Sequence, residues 1–244
     1  MIIQQNKPFK VWGKAEPGQK IAIHAGWLPA SAEVYADTDG DFMGIVPVPK
    51  AEEGDFTPHH IRIVAGDEQI ELDNLLIGDV WVCSGQSNMQ FSVREMTGSE
   101  QVISGADQPP IRLLNVALNF SDTPLENMKG TWQVCSPTSV RDFSAVGYSF
   151  GKKLFDRLNI PIGLVFTGIG ASSVQAYIPK GDLANDTMLN KAYLQPYLAD
   201  PKSKEQIDGG FSFEKVMRPY LLYNAMVHPL INLSIRGFIW YQGE

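Results

Sequence analysis

The chain has 244 residues, 44% hydrophobic and 19% charged, with a net charge of −7. That length and apolar content support one large core or two modest ones, and the acidic balance leaves no basic field to attract nucleic acid or an anionic membrane surface. No apolar run approaches the roughly 20 residues that cross a bilayer, and the opening MIIQQNKPFK lacks the apolar centre of a signal peptide.

In chain order, the first third alternates apolar and polar residues in short runs: Lys20 to His24, Ala32 to Tyr35, His60 to Val64. These predict antiparallel strands. Turn chemistry separates them at Glu16-Pro17-Gly18, Asp39-Gly40-Asp41 and Ala65-Gly66-Asp67, the spacing of a small, jelly-roll-like β-sandwich over residues 1–73. After Asn74 the pattern changes, and Leu75 to Cys83 reads as a strand buried on both faces, as in parallel sheets. Strands of the same kind are expected at Ile111 to Val116, Ile162 to Phe166 and Gly237 to Tyr241.

Helical spacing lies between them. From Asp142 to Leu158 the residues Phe143, Val146, Phe150, Leu154 and Leu158 share one face, with Asp142 placed to cap the start. A second helix is expected from Phe213 to Leu230 through Val216, Tyr220, Tyr223 and Val227, with Pro219 disturbing it. Residues 117–138 and 180–212 are polar and irregular, and read as rim loops. Alternating strands and helices over residues 74–244 imply an α/β layer fold. The two cysteines, Cys83 and Cys135, do not make a disulfide framework and are expected as buried free thiols.

In open α/β sheets ligands sit beyond the carboxyl ends of the strands. Polar clusters follow three of the expected strands: Ser84-Gly85-Gln86-Ser87-Asn88-Met89, Thr167-Gly168-Ile169-Gly170-Ala171-Ser172-Ser173 and Gln242-Gly243-Glu244. Hydroxyls, amides and glycines converge there, with neither a metal-ligand cluster nor a nucleotide fingerprint. Acyl transfer uses that equipment, a serine nucleophile on a tight turn with N–H donors for an oxyanion. Taken singly, WVCSGQSNM fits a polar turn closing a strand equally well, Gly170 fits a packing glycine, and Gln242 a structural amide. Trp240 and Tyr241 read as packing residues before sugar platforms.

The stretches LLIGDVWVCSGQSNMQ, DFSAVGYSFGKKL, PIGLVFTGIGASSVQAYIP and IRGFIWYQGE resemble the sialate O-acetylesterases, a carbohydrate-esterase branch of the SGNH hydrolases. The resemblance implies a flavodoxin-like three-layer fold with a parallel sheet behind the β-sandwich. It also implies Ser87, not Ser84, as nucleophile, with an oxyanion hole from Gly170 and Gln242 and with the Ser87 N–H at a helix start. Glu244, in the same block as Gln242, reads equally as a residue that only hydrogen-bonds behind the site. The substrate implied is an O-acetylated sugar, with 9-O-acetyl sialate first and acetylated xylan or another glycan next; no cofactor or metal is needed.

Departures are visible. The second block commonly has a paired glycine, then an acid and a tryptophan, where this chain has Ala171, Gln175 and Tyr177. The family's aspartate and histidine lie downstream of the QGE block, so a piece ending at Glu244 is expected to lack its base, to turn over weakly or not at all, and to leave one sheet edge uncovered. His24, His59, His60 and His228 read as structural. Arg94, Arg141 and Arg218 are candidates for a sialate carboxylate, with solvated surface positions the default. A glycan-binding module using Trp12 and Trp27, and a lipase-like relative with an acyl tunnel, are the competing readings. The family resemblance implies export, periplasmic or secreted; the oligomeric state is open.

Overall fold

A computed structural model of the chain describes residues 1–243. The β-rich start contains β1 (Ile2–Gln4), β2 (Phe9–Lys14), β3 (Lys20–Ala25), β4 (Ala32–Tyr35), β5 (Asp41–Val46) and β6 (His59–Ala65). Each alternating run becomes an antiparallel strand: β3 pairs with β4 on one side and β6 on the other, while β2 and β5 form a separate antiparallel ribbon. That ribbon lies against β3, because a Cβ on Gly44 would meet Ile23 Cδ1 at 2.2 Å. Val11, Ile21, Ile23, Val46 and Ile61 close the space between.

The next strand, β7 (Glu68–Gly85), runs for 18 residues and belongs to both halves. Its first part pairs antiparallel with β6, and Leu76–Gly78 pairs parallel with β1. The second part is the inner strand of a sheet in the order β11-β7-β10-β8-β9, built with β8 (Gln108–Asn115), β9 (Gln133–Cys135), β10 (Ile162–Phe166) and β11 (Gly237–Tyr241). All these pairings are parallel except the short β9 on β8.

Strand geometry sends successive side chains to opposite faces. Cys83, Leu113 and Leu164 pack on one side with Phe143 and Tyr148, whereas Val80, Val82, Leu114 and Val165 pack on the other with Leu183, Leu194, Leu221 and Met226. The result is three layers. The first face is covered by α4, reached in chain order after α1 (Ser87–Gln90), α2 (Ser99–Ser104) and α3 (Pro137–Val140); α4 itself spans Ala145–Leu158. It starts later than expected: the cap is Ser144, whose Oγ accepts the Gly147 N–H at 3.0 Å, while Asp142 pairs with Arg94 at 2.7 Å.

The other face is covered by segments that periodicity alone misassigns. Residues 180–212 are not an irregular rim: they hold α5 (Lys180–Asn185), α6 (Thr187–Leu189) and α7 (Gln195–Ala199). The Asp186 carboxylate caps α6 by accepting from Met188 and Leu189 N–H at 2.9 Å, and Leu183, Leu194 and Tyr197 are buried. Residues 117–138 likewise contribute β9. The expected helix at 213–230 is broken into short turns. Pro219 forces Arg218 into an extended conformation (φ −66°, ψ 136°) and Tyr220 follows in the left-handed region at φ +54°. Among the described residues β11 pairs with β7 alone, forming the expected uncovered sheet edge, but Phe238, Trp240 and Tyr241 are exposed where a strand buried on both faces was expected.

Candidate functional site

The carboxyl end of β7 stops at Gly85, whose φ of +138° turns the chain out of the sheet. Gln86 follows, buried, and one helical turn begins at Ser87; the Gln90 and Phe91 N–H groups donate to Gln86 and Ser87 carbonyls at 2.9 and 2.8 Å. Met89 is fully buried under this turn, which leaves Ser87, Asn88 and Gln90 on its exposed side. Because α1 is a single turn, it offers individual N–H groups and little macrodipole. Ser84, by contrast, is buried and its hydroxyl donates to the Thr167 carbonyl at 3.2 Å.

The second loop is stitched to the same strand end. Thr167 N–H donates to Cys83 O at 3.0 Å and Ile169 N–H to Gly85 O at 3.2 Å, with the Ser172 hydroxyl bracing the turn on Ile169 O at 2.6 Å. These bonds bring Gly170 beside the serine: a Cβ built on Gly170 would lie 3.7 Å from both Cα and Cβ of Ser87. The Gly170 N–H donates to Oε1 of Gln90 at 2.6 Å. The next residue, Ala171, takes the left-handed conformation at φ +61°. Gln175 donates to the Met217 carbonyl at 3.2 Å. Tyr177 stands edge-on to Trp240 with its hydroxyl 3.2 Å from Ser172 Oγ, and burial pushes that phenol up to about 12, so it stays protonated at neutral pH.

The third loop joins through β11. Gln86 N–H donates to Tyr241 O at 3.2 Å, and the carboxamide of Gln242 donates to the Ser172 carbonyl at 2.8 Å. Its oxygen, like that of Gln86, is buried without a hydrogen-bond partner among the described residues. Glu244 lies outside them.

Beside Ser87 opens a hollow of about 650 Å³ lined in part by Gln90, Phe91, Arg94, Asn115 and Asp142. Arg94 and Asp142 are both largely solvated, so their ion pair is weak and exchangeable. Glu95 accepts from the Ser92 hydroxyl and N–H, which hold its carboxyl below the usual range. Among the described residues no histidine lines this hollow. His228 binds the Leu125 carbonyl through Nδ1 at 3.0 Å and stacks edge-on with Tyr223, and His59 packs on Trp27. Of the three arginines, Arg94 alone lines the hollow and Arg141 is exposed; Arg218 is no surface residue, being buried and paired with Glu214 at 3.0 Å. Away from Ser87, a separate hollow of about 810 Å³ includes the half-exposed Trp12, whereas Trp27 donates its indole N–H to the Pro47 carbonyl. No cluster of metal-ligating side chains is present among the described residues, nor any helix long and apolar enough to cross a membrane.

The loops carrying Ser87, Gly170 and Gln242, which the resemblance implies, are joined by hydrogen bonds. Gln90 was not expected here, although a spacing of three places it on the Ser87 face of any helical turn.

Residues 77–197 match the family model described as carbohydrate esterase, sialic acid-specific acetylesterase. The human sialate O-acetylesterase is 33% identical over 187 residues, covering 72% of this chain and 32% of the relative, and that of Mus musculus is 29% identical over 198 residues. A solved carbohydrate acetylesterase from Xanthomonas citri superposes with a TM-score of 0.81 at 28% identity, covering 99% of this chain and 48% of its own. The chain thus spans about a third of the length of these curated relatives.

Proposed function

Since the chain belongs to the sialic acid-specific acetylesterase family of carbohydrate esterases, we propose that it carries the nucleophile and oxyanion donors of a serine O-acetylesterase. The observation that carries this reading is the adjacency of Ser87 and Gly170 at the carboxyl ends of β7 and β10, where a Cβ on Gly170 would lie 3.7 Å from Ser87 Cα and Cβ.

Ser87 Oγ attacks the acetyl carbonyl carbon, its proton passing to a histidine that the family resemblance puts beyond Glu244. The negative charge that develops on the carbonyl oxygen is met by the N–H groups of Gly170 and Ser87; the carboxamide of Gln242 joins them by turning from the Ser172 carbonyl. Collapse expels the sugar hydroxyl, and water then releases acetate from the acetyl-serine. The preferred substrate is a sialic acid acetylated at O9, a choice supported by Arg94 at the hollow, which suits an acidic sugar. A neutral acetylated glycan such as xylan is the second reading, in keeping with the polar and exchangeable Arg94–Asp142 pair. We propose a location outside the cytoplasm, periplasmic or secreted, on the strength of the family resemblance alone.

The test is acetate release from 9-O-acetyl sialic acid, acetylated xylan and 4-nitrophenyl acetate by a protein that carries this sequence together with the family's histidine-bearing segment, and by its Ser87→Ala variant. A loss of at least about 10³-fold on substitution is expected. Undiminished turnover in the variant would remove Ser87 from the chemistry.

A further inference from the structure

We propose that Gln90 is a positioning residue that acts as a displaceable cap on the oxyanion donor, so that substrate enters by taking the Gly170 N–H away from the Gln90 side chain. The inference rests on the reading of that N–H as an oxyanion donor.

The Gly170 N–H is not aimed at open space: it donates to Gln90 Oε1 at 2.6 Å. Only the oxygen of a carboxamide accepts, so the orientation of this side chain is set by the bond itself. Gln90 reaches the site because it sits three residues after Ser87 on the same turn, and it lines the same hollow. Oε1 and a substrate carbonyl oxygen would compete for one hydrogen.

The competition discriminates between states. Gln90 is exposed, and a neutral hydrogen bond at such a site has a small net worth, so a neutral ester carbonyl displaces it with little or no gain. A developing oxyanion makes a charge-assisted bond of roughly twice the strength and displaces it readily. The cap costs any state that takes the N–H the same bond, so it weakens ester binding and transition-state binding alike, raising KM and lowering kcat/KM while leaving turnover at saturation little changed.

Removing the cap in Gln90→Ala is expected to raise kcat/KM for 4-nitrophenyl acetate about two- to tenfold, mainly through a lower KM, the factor that one exposed hydrogen bond represents. Gln90→Glu puts a carboxylate on the same N–H. Its kcat/KM relative to the parent is expected to fall at pH 7 and to recover as pH drops through the carboxyl range, a pH signature that a purely structural role would not produce. A Gln90→Ala variant with unchanged or reduced kcat/KM, or a Gln90→Glu variant whose relative activity does not recover in acid, overturns the cap. Hydrolysis that survives in the Ser87→Ala/Gln90→Ala double variant overturns the esterase reading and the cap with it, and so separates the two failures.

Discussion

The Tyr241 carbonyl oxygen lies so close over Gly85 that a Cβ on Gly85 would approach it to 2.2 Å. Strand β11 is thereby seated against the last residue of β7, directly before the turn that presents Ser87, and Gly85 also holds φ at +138°. Gly85→Ala is expected to destabilise the fold by about 3 kcal/mol, from steric conflict and backbone strain together, and to abolish esterase turnover by shifting Ser87. Urea unfolding with a parallel activity assay checks both. An unchanged midpoint would mean that β11 yields without consequence.

Ala171 is the opposite case, a residue with a Cβ in the left-handed region at φ +61°. The conformation costs an alanine about 1–2 kcal/mol, partly offset because glycine loses more freedom on folding. Ala171→Gly should therefore stabilise the protein by about 0.5–1 kcal/mol, seen as a higher thermal midpoint.

The start of α4 separates two candidate caps. Ser144→Ala removes the acceptor for the Gly147 N–H and is expected to cost about 1 kcal/mol. Asp142→Ala removes only a solvated partner of Arg94 and should cost less than about 0.5 kcal/mol, diminishing in salt. Denaturant titration of the two variants side by side would reverse the assignment if Asp142 proved the costlier loss.

Burial pushes the Cys83 thiol from an ordinary 9.0 up to about 12, and burial pushes Cys135 to about 11. Both remain protonated at pH 8, and both are fully buried. Ellman's reagent is expected to find no reactive thiol in the native protein and two in guanidinium chloride. Because the folded values are raised, the thiols contribute stability in full below pH 9 that is lost as pH rises through about 11 to 12. A pH titration of the melting midpoint, repeated on a Cys83→Ala variant, reads this directly.

Much of the molecule was legible as local pattern. Period-two runs marked β3, β4 and β6, the continuous apolar run from Leu75 marked the buried part of β7, and the face shared by Phe143, Val146, Phe150 and Leu154 marked α4. For the proposed site, the polar clusters after the buried strands marked the three loops, while the choice of Ser87, Gly170 and Gln242 within them came from the family resemblance.

What local pattern does not contain is the partner. Asp142 and Ser144 are both competent caps, and which one serves depends on where Arg94 lies. Residues 180–212 look irregular until the sheet face that buries Leu183, Leu194 and Tyr197 is present. The apolar run of β11 predicts burial, yet exposure follows from its pairing with β7 alone. The hydrogen bond from Gly170 to Gln90 joins residues 80 positions apart. Sequence by itself determined which segments must bury apolar surface and where reactive groups collect, because solvation and backbone geometry act residue by residue. Only the tertiary structure decided which donor meets which acceptor, because that follows from contacts between segments that no local pattern encodes.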